Sequence, residues 1–273
     1  DWLAQNLERG QTLSVDGQVL SLASAQLLNQ ALQRKGIALK TDWDAAAEIW
    51  DDRPALPAQP IYEHQPPHAS LSRQDKLAQV REAMSRHGAT HHFISTVDDI
   101  AWLTNLRGSD VTYNPVFLAH LLMDAQSATL YVGAGKVDAA LRERLKGDGI
   151  QLGDYTQAGA ALQALGPHDT LLVDPKRITW GLRERVAAPV RVIEAINPST
   201  LLKSRKSEAD AAHIREAMAE DGAAMCEFYA WFEAALAWVV RVTLVGLFFG
   251  FILPDAWEHA IAIAIETASR APA

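Results

Sequence analysis

Residues 90–133, THHFISTVDDIAWLTNLRGSDVTYNPVFLAHLLMDAQSATLYVG, carry the pattern that decides the fold class. The runs THHFISTVDD, PVFLAHLLMD and SATLYVG are short and apolar and predict strands, whereas IAWLTNLRG predicts a short helix or turn. Upstream, Leu77, Val80 and Met84 share one face of a helical pattern that stops at Gly88. Downstream, helical and strand patterns alternate as far as residue 198, which predicts an α/β layer structure.

A five-residue echo indicates that one fold occurs twice along the chain. Thr-Leu-x-Val-Asp occupies residues 12–16 and again 170–174, an offset of 158 residues. A helix-compatible stretch and then a short strand, GIALKT or VRVIEA, follow each copy. The echo predicts two tandem copies, of which the first lacks its front half. The proline-rich segment 53–70 is predicted to be a linker, because proline fixes φ and removes a backbone donor.

Composition limits the classes of function. The chain has 273 residues, a formal charge of −8 and a pI near 5.6. This balance argues against a nucleic-acid partner, because a phosphate backbone calls for a basic face. The single cysteine, Cys226, excludes an intrachain disulfide and suits a reducing compartment. The first residues lack a signal-peptide pattern and open inside a predicted helix without an initiator Met, as a fragment would.

A different pattern begins near Ser207. Ser207 and Asp210 have the spacing of a capping box, and the apolar residues after them recur at helical spacings. We expect one long amphipathic helix, or two broken near Gly222. Its apolar face should belong to a core and carries Ile214, Met218, Met225, Phe228, Phe232 and Leu236. A further domain is expected to begin here.

The densest group of polar side chains lies in DDIAWLTNLRGSDVTYNPVF, residues 98–117. Four candidate binding residues surround one glycine there: Asn105, Arg107, Asp110 and Asn114. The segment is a predicted loop, and binding groups often lie on loops. The alternative is structural, with Arg107 and Asp110 holding a tight turn while Asn114 and the following proline stop a helix. Both interpretations stay open at this point.

Histidine offers weaker candidates. His87, His91 and His92 lie close together. A glycine breaks the helix between the first two, and adjacent residues of a strand face opposite sides, which argues against a zinc site. His64 and His68 lack supporting carboxylates and are expected to be solvated.

Two further features have simple explanations. Cys226 lies on the long helix among apolar neighbours and is predicted to be a buried small hydrophobe. The KSRK cluster, residues 203–206, is predicted to be a solvated approach to that helix. The sequence contains no GxGxxG, P-loop or GxSxG motif.

Two stretches resemble a known family. DDIAWLTNLRGSDVTYNPVF and, further along, INPSTLLKSRKSEADAAHIREAMAEDGAAMCEFYAWFEAAL are similar to the three-domain Xaa-Pro aminopeptidases of the creatinase/prolidase-like fold. WDDRP resembles the end of that family's first domain, and the resemblance continues to near Leu236. It implies creatinase/prolidase N-terminal-like domains in tandem, each an α/β domain with a ribonuclease-H-like mixed sheet. An α+β pita-bread catalytic domain would follow them.

The resemblance divides the chain into four parts. Residues 1–62 would be the C-terminal part of domain I, and residues 63–198 would be domain II. Residues 199–237 would be the first helices of a truncated catalytic domain, and residues 238–273 an aberrant apolar tail. The four polar loop residues are the expected face toward the catalytic domain.

Activity, cofactors and partners also follow from the resemblance. Members of the family remove an N-terminal residue that precedes proline, in the cytoplasm. They use two divalent metals, usually manganese, on two Asp, one His and two Glu. The resemblance implies peptide substrates with proline at position two and a homo-oligomer at full length, and it argues against nucleic-acid and membrane partners. Creatinase-like hydrolysis is a third candidate, against which the tandem N-terminal domains argue.

This chain does not carry the metal ligands in a usable form. The candidate ligand residues after Leu236 are one carboxylate short of the set and too closely spaced: Asp255, Glu258, His259 and Glu266. No catalytic or metal-ligating residue is therefore carried over. We expect no metal on this chain and no activity from it alone.

The segment AALAWVVRVTLVGLFFGFILPDAW, residues 234–257, departs from the family. Residues 234–253 just reach the ~20 residues that cross a bilayer, although Arg241 would cost a few kcal/mol. The leading hypothesis is that the true reading frame ends near Ala237. A membrane anchor and a divergent buried segment are the alternatives. The rival function is therefore a non-catalytic interaction or assembly module, tethered to a membrane through residues 234–253.

Overall fold

The structure is a computed structural model and describes residues 2–252. They fall into two units, one ending at Asp210 and the other starting at Ala211. The strands are β1 (Thr12–Ser14), β2 (Ala38–Lys40), β3 (Tyr62–Glu63), β4 (His91–Ile94), β5 (Leu106–Arg107), β6 (Ala119–Met123), β7 (Ala128–Val132), β8 (Ile150–Asp154), β9 (Thr170–Val173) and β10 (Arg191–Glu194). The helices are α1 (Trp2–Asn6), α2 (Leu22–Gln33), α3 (Ala45–Ile49), α4 (Arg73–Arg86), α5 (Val97–Thr104), α6 (Ala139–Gly147), α7 (Ala158–Gln163), α8 (Trp180–Glu184), α9 (Pro198–Ser204) and α10 (Glu208–Ile252).

One mixed sheet organises the first unit. Its six strands lie in the order β10-β9-β4-β6-β7-β8. β4, β9 and β10 are parallel, β6 is antiparallel to both β4 and β7, and β8 is parallel to β7. This arrangement confirms the predicted α/β fold with a mixed sheet.

Each face of the sheet carries a core, because alternate side chains of a strand point to opposite sides. On one face Leu77 of α4, Ile100 of α5 and Leu145 of α6 are buried in the larger core. On the other face a smaller core contains Phe93 of β4 and takes in Leu22 of α2. Each such side chain contributes ~1.5–3 kcal/mol when it leaves water. The helical pattern ends at Gly88 as predicted, where φ is 69°.

The two echoed segments adopt the same local structure. β1 pairs in parallel with β2, and α2 connects the two strands along the chain. β9 likewise pairs in parallel with β10, and α8 connects them. Ser21 caps α2 by accepting from the Ser24 N–H, and Thr179 caps α8 by accepting from the Leu182 N–H. These two cap residues are 158 positions apart, as the echo is. The short strands and caps of the first copy are therefore repeated in the second.

The two copies contact each other about a pseudo-two-fold axis. Ser21 and Thr179 occupy the same position in the two copies, and they form an antiparallel bridge with each other. Backbone hydrogen bonds flank this bridge as two symmetric pairs, from Leu22 N to Ile178 O, Trp180 N to Leu20 O, Ala23 N to Pro175 O and Gly181 N to Gly17 O. Symmetry of this kind is the expected product of a repeated βαβ unit whose copies pack together.

Two predicted boundaries in the first unit are wrong. The strand predicted for residues 90–99 is too long, because β4 ends at Ile94 and α5 begins at Val97. Asp98 and Asp99 lie in the first turn of α5, where a negative charge favours the helix. The proline-rich segment is more than a linker, because β3 within it pairs antiparallel with β5.

Helix α10 keeps its predicted start and is the one long helix of the two predicted alternatives. The Asp210 N–H donates to Ser207 Oγ at 3.1 Å and the Ser207 N–H to Asp210 Oδ2 at 3.0 Å, which confirms the capping box. The helix continues through Gly222 over 45 residues. A glycine inside a helix costs only ~1 kcal/mol relative to alanine, too little to end a helix flanked by good helix formers.

The apolar face of α10 is not buried. Met218, Phe228 and Leu236 are exposed, as are the other large members of the predicted core face. Cys226 is exposed too, so its prediction as a buried residue is wrong. The reason is that the described part of the second unit consists of this helix alone. By length and composition, one helical stretch of the described chain, Glu208–Val245, could cross a membrane.

Candidate functional site

The polar loop (residues 105–118) begins where α5 ends. Asn105 has a φ of 53° and closes α5 in the left-handed conformation, which asparagine adopts more readily than most residues. Its side chain is buried, with Oδ1 accepting from Lys76 Nζ at 2.5 Å and Nδ2 donating to the Leu71 carbonyl at 2.9 Å. Asn105 therefore ties the polar loop to α4.

Lys76 is a buried cation that the sequence reasoning missed. Its Nζ donates to the Trp102 carbonyl at 2.9 Å and lies 4.6 Å from the centre of the Trp102 ring. Burial lowers the pKa of Lys76 to about 8, and the charge of Arg107 acts in the same direction. Lys76 precedes Val80 by four residues, so the helical period could have placed it on the buried face.

Asp110 is held inside the loop by a buried ion pair with Lys136. Their side chains are 0% and 1% exposed, and Lys136 Nζ donates to Asp110 Oδ2. The Leu118 N–H donates to the same oxygen at 2.7 Å, and Lys136 Nζ also donates to the Pro57 carbonyl at 3.3 Å. Asp110 Oδ1 has no hydrogen-bond partner among residues 2–252. These contacts fix the path of the loop from beneath.

Arg107 lies between the buried base of the loop and its surface. Its Nη1 donates to the carbonyls of Ala101 and Leu106 at 2.9 Å each, which holds the guanidinium against the end of α5. The side chain is half-buried, and that burial lowers the pKa of Arg107. The acceptors in these contacts are uncharged backbone carbonyls. They orient the guanidinium of Arg107 without neutralising its charge.

The tip of the polar loop is exposed and strained. The Asn114 N–H donates to the Val111 carbonyl at 3.1 Å and closes a turn whose third residue is Tyr113. Tyr113 has a φ of 61°, an unfavourable value for a bulky residue, and its side chain is fully exposed at 103%. The predicted candidates thus separate, with Asn105 inside the fold and Asn114 on the surface.

The two adjacent histidines face opposite sides of β4, as predicted. His92 is buried, its Nδ1 lies 2.9 Å from the Leu172 carbonyl oxygen, and burial lowers its pKa to about 4. His91 is half-buried, with Nδ1 at 3.6 Å from Asp169 Oδ1. The pair cannot share a metal ion.

Two side chains predicted to be solvated are instead held by the fold. His64 is half-buried, and its pKa is lowered by burial first and by the charge of Arg107 next. Lys203 of the KSRK cluster pairs with Asp98 and, at 2.8 Å, with Asp99. Burial opposes the charge of Lys203, but the hydrogen bonds to both carboxylates outweigh it and raise the pKa of Lys203. This cluster ties α9 to α5 and is not a free basic patch.

A metal centre does not fit the described residues. Within residues 2–252 the structure brings no three His, Cys, Asp or Glu side chains together around a common point. Two metals would need several such groups. The ionisable residues after Leu236 that the sequence offers, from Asp255 to Glu266, lie outside the described range.

The six-stranded mixed sheet and the repeated βαβ unit define the class of this chain. It belongs with the N-terminal domains of the creatinase/prolidase family. The chain is a member of that family, whose creatinase/prolidase N-terminal domain matches residues 52–210. The matched range contains the mixed sheet, the polar loop and α9.

Relatives of the chain carry the name Xaa-Pro aminopeptidase P. A protein of Arthroderma gypseum named probable Xaa-Pro aminopeptidase P is 32% identical over 247 residues, which cover 86% of this chain and 39% of the relative. The probable Xaa-Pro aminopeptidase P of Leptosphaeria maculans is 30% identical over 246 residues, which cover 86% and 40%. The chain thus spans about two fifths of the length of these relatives.

A solved structure has the same fold. The X-prolyl aminopeptidase of Caenorhabditis elegans superimposes with a TM-score of 0.77 over 85% of this chain and 39% of its own. Its sequence is 21% identical to this one. That protein is described as a cytosolic enzyme with a di-nuclear active site.

Proposed function

We propose that this chain is part of an Xaa-Pro aminopeptidase, a hydrolase that releases an N-terminal residue preceding proline. The observation that carries the proposal is the 32% identity, across 86% of the chain, to a protein named probable Xaa-Pro aminopeptidase P. The proposed substrates are peptides with proline at position two. The cytosolic setting of the similar C. elegans enzyme supports a cytoplasmic location, and a homo-oligomer is proposed for the full-length protein.

Catalysis in this proposal belongs to a part of the enzyme other than the described residues. The C. elegans enzyme has a di-nuclear active site, and we propose two divalent metals, manganese by preference, for the full-length protein here. Such a pair generates a hydroxide nucleophile near neutral pH and polarises the scissile carbonyl. Residues 2–252 do not bring a ligand set together, so the chain alone is expected to be inactive. A manganese-supplemented assay in which the chain alone cleaved an Xaa-Pro peptide would contradict this.

The polar loop is the proposed contribution of the chain to the site. The base of the loop is fixed by the hydrogen bond from Lys76 to Asn105 and by the ion pair of Lys136 with Asp110. Arg107 and Asn114 extend from this base toward the surface. Loops on a rigid scaffold commonly position binding residues. We propose that this loop faces the catalytic domain and borders the entry path of the peptide.

A chimera tests both parts of the proposal. The corresponding N-terminal region of the C. elegans enzyme is replaced by this chain up to Ser204, and Xaa-Pro cleavage is measured with manganese. The chimera is expected to be active, and Asn114→Ala should raise KM roughly 3- to 10-fold, as loss of about one hydrogen bond would. Gln151→Ala, on the exposed surface of β8, is the control and should leave KM unchanged.

The outcomes separate the two parts. A chimera that folds and assembles but cleaves no Xaa-Pro peptide contradicts the proposed function. An active chimera in which Asn114→Ala behaves like Gln151→Ala contradicts only the role of the polar loop.

A second candidate function is a non-catalytic module tethered to a membrane. The observation that favours it is α10, whose Glu208–Val245 stretch is long and apolar enough for a span and carries exposed Trp238, Val239 and Val240 on successive sides. Cell fractionation tests it. Pelleting with membranes and resistance to salt extraction would favour the tether, and recovery in the soluble fraction would exclude it.

A further inference from the structure

A cavity of 690 Å³ opens at one edge of the mixed sheet, where β4, β8 and β9 end. Ser95 follows β4, Tyr155 follows β8 and Arg177 follows β9, and all three line the cavity. In open α/β sheets, ligands bind outside the carboxyl ends of parallel strands. The volume also lies within the ~300–1,000 Å³ range of small-molecule sites. Position and size are therefore those of a ligand site.

One wall of the cavity is built around a fixed imidazole. His120 of β6 stacks between Phe93, at 5.5 Å between ring centres, and Tyr155, at 4.8 Å. Its Nδ1 lies 3.0 Å from the Oγ of Ser95, the residue just after the neighbouring strand β4. Burial lowers the pKa of His120 to about 4, so the ring is neutral near pH 7. The wall thus offers aromatic surface together with a neutral hydrogen-bonding group held in one orientation.

The cavity is lined by positive charge although the chain as a whole is negative, which indicates an anionic ligand. Arg177 and Arg185 line the cavity, and its described lining contains no Asp or Glu. The salt bridges of the described chain involve neither arginine. The chain as a whole carries a formal charge of −8. Asp98, which is outside the lining, interacts with the charge of Arg177 but forms no salt bridge with it. A cleft whose two guanidinium groups form no salt bridge in the described chain concentrates anions, and guanidinium is well matched to carboxylate and phosphate.

We propose that this cavity binds a small organic anion, with its carboxylate or phosphate directed toward Arg177 and Arg185 and its planar body against Tyr155 and His120. The proposal goes beyond the proposed peptidase function, which assigns no role to these residues. Carboxylate and phosphate share the chemistry that the arginines recognise, so the experiment separates them.

Calorimetric titration of the full chain provides the test. The probes are phenyl phosphate, benzoate, inorganic phosphate and the neutral benzamide, at low ionic strength. We expect one saturable site for phenyl phosphate or benzoate, with the tighter of the two identifying the preferred head group. Inorganic phosphate should bind at least fivefold more weakly because it lacks a ring, and benzamide should not bind measurably.

Charge variants identify the site. The double variant R177Q/R185Q should weaken the Kd of the preferred probe at least tenfold, because each arginine contributes a charge-assisted hydrogen bond. Arg183→Gln, on α8 but outside the lining, is the matched control and should change the Kd less than twofold. Circular dichroism verifies that each variant folds. Absence of saturable binding by any probe, equal binding of benzamide, or an unchanged Kd in the double variant would each overturn the proposal.

Discussion

Replacing Lys136 by methionine is expected to destabilise the first unit strongly. The substitution keeps the length of the side chain but removes the cation that faces Asp110 in a site where both side chains are at most 1% exposed. Asp110 would keep the Leu118 N–H on Oδ2, while its Oδ1 already lacks a partner in the described chain. The result is a buried carboxylate without a counter-charge.

The expected loss is about 3–5 kcal/mol of unfolding free energy, the usual cost of breaking a buried pair from one side. For a domain of this size, that corresponds to a decrease of roughly 6–20 °C in Tm. The double variant K136M/D110N removes both charges and keeps an oxygen to accept from Leu118. Its stability should return to within about 2 kcal/mol of the parent, because a neutral buried pair avoids the cost of desolvating ions.

Urea unfolding of the full chain, followed by near-ultraviolet circular dichroism, measures these free energies. Arg86→Met is the control, because Arg86 and Glu82 form an ion pair with side chains 66% and 69% exposed. It should cost less than about 0.5 kcal/mol. A loss below about 1 kcal/mol for Lys136→Met, or a double variant as unstable as the sum of the single variants, would refute the argument from burial.

Two further predictions concern the close packing at Gly17 and the buried histidine. Gly17→Ala should lower the free energy of unfolding in urea by about 1–3 kcal/mol, because an added Cβ would lie 2.7 Å from the Thr41 carbonyl oxygen. Gly147→Ala is the control and should be neutral or stabilising, because the space around Gly147 is open. Equal losses of stability in the two variants would contradict the close contact at Gly17. The neutral His92 ring stabilises the fold fully above its unfolded pKa of ~6.5, and this contribution of about 3 kcal/mol is lost as the pH falls from there toward its folded pKa of about 4. His92→Asn should reduce that pH dependence of unfolding, and an unchanged pH dependence in this variant would contradict the prediction.

Local patterns in the sequence were enough for much of the fold. The apolar period through Leu77, Val80 and Met84, the stop at Gly88 and the capping box at Ser207 depend on neighbours within one helical turn. The boundary between β4 and α5 was misplaced because Ser95 and Thr96 suit a strand as well as a helix cap. Residues that look alike in a short window are separated only by what they pack against.

The candidate site was less accessible from the sequence. The residue types around one glycine indicated a loop rich in binding groups, and the structure separates those groups into buried and exposed ones. Lys76 and Lys136 were missed because they lie 29 and 26 residues from the side chains they hold, Asn105 and Asp110. Nothing in the local spacing connects such pairs.

The order of helices and strands, the repeat at residues 12–16 and 170–174 and the family resemblance could all be found in the order of residues, because each is a local or a copied pattern. Three features are set by the tertiary structure alone: the contact of the two copies at Ser21 and Thr179, the buried ion pair of Asp110 with a lysine, and the exposure of Cys226. Those outcomes depend on which surfaces are brought together across long separations. A side chain is buried only when another element covers it, and no periodicity along the chain specifies that element.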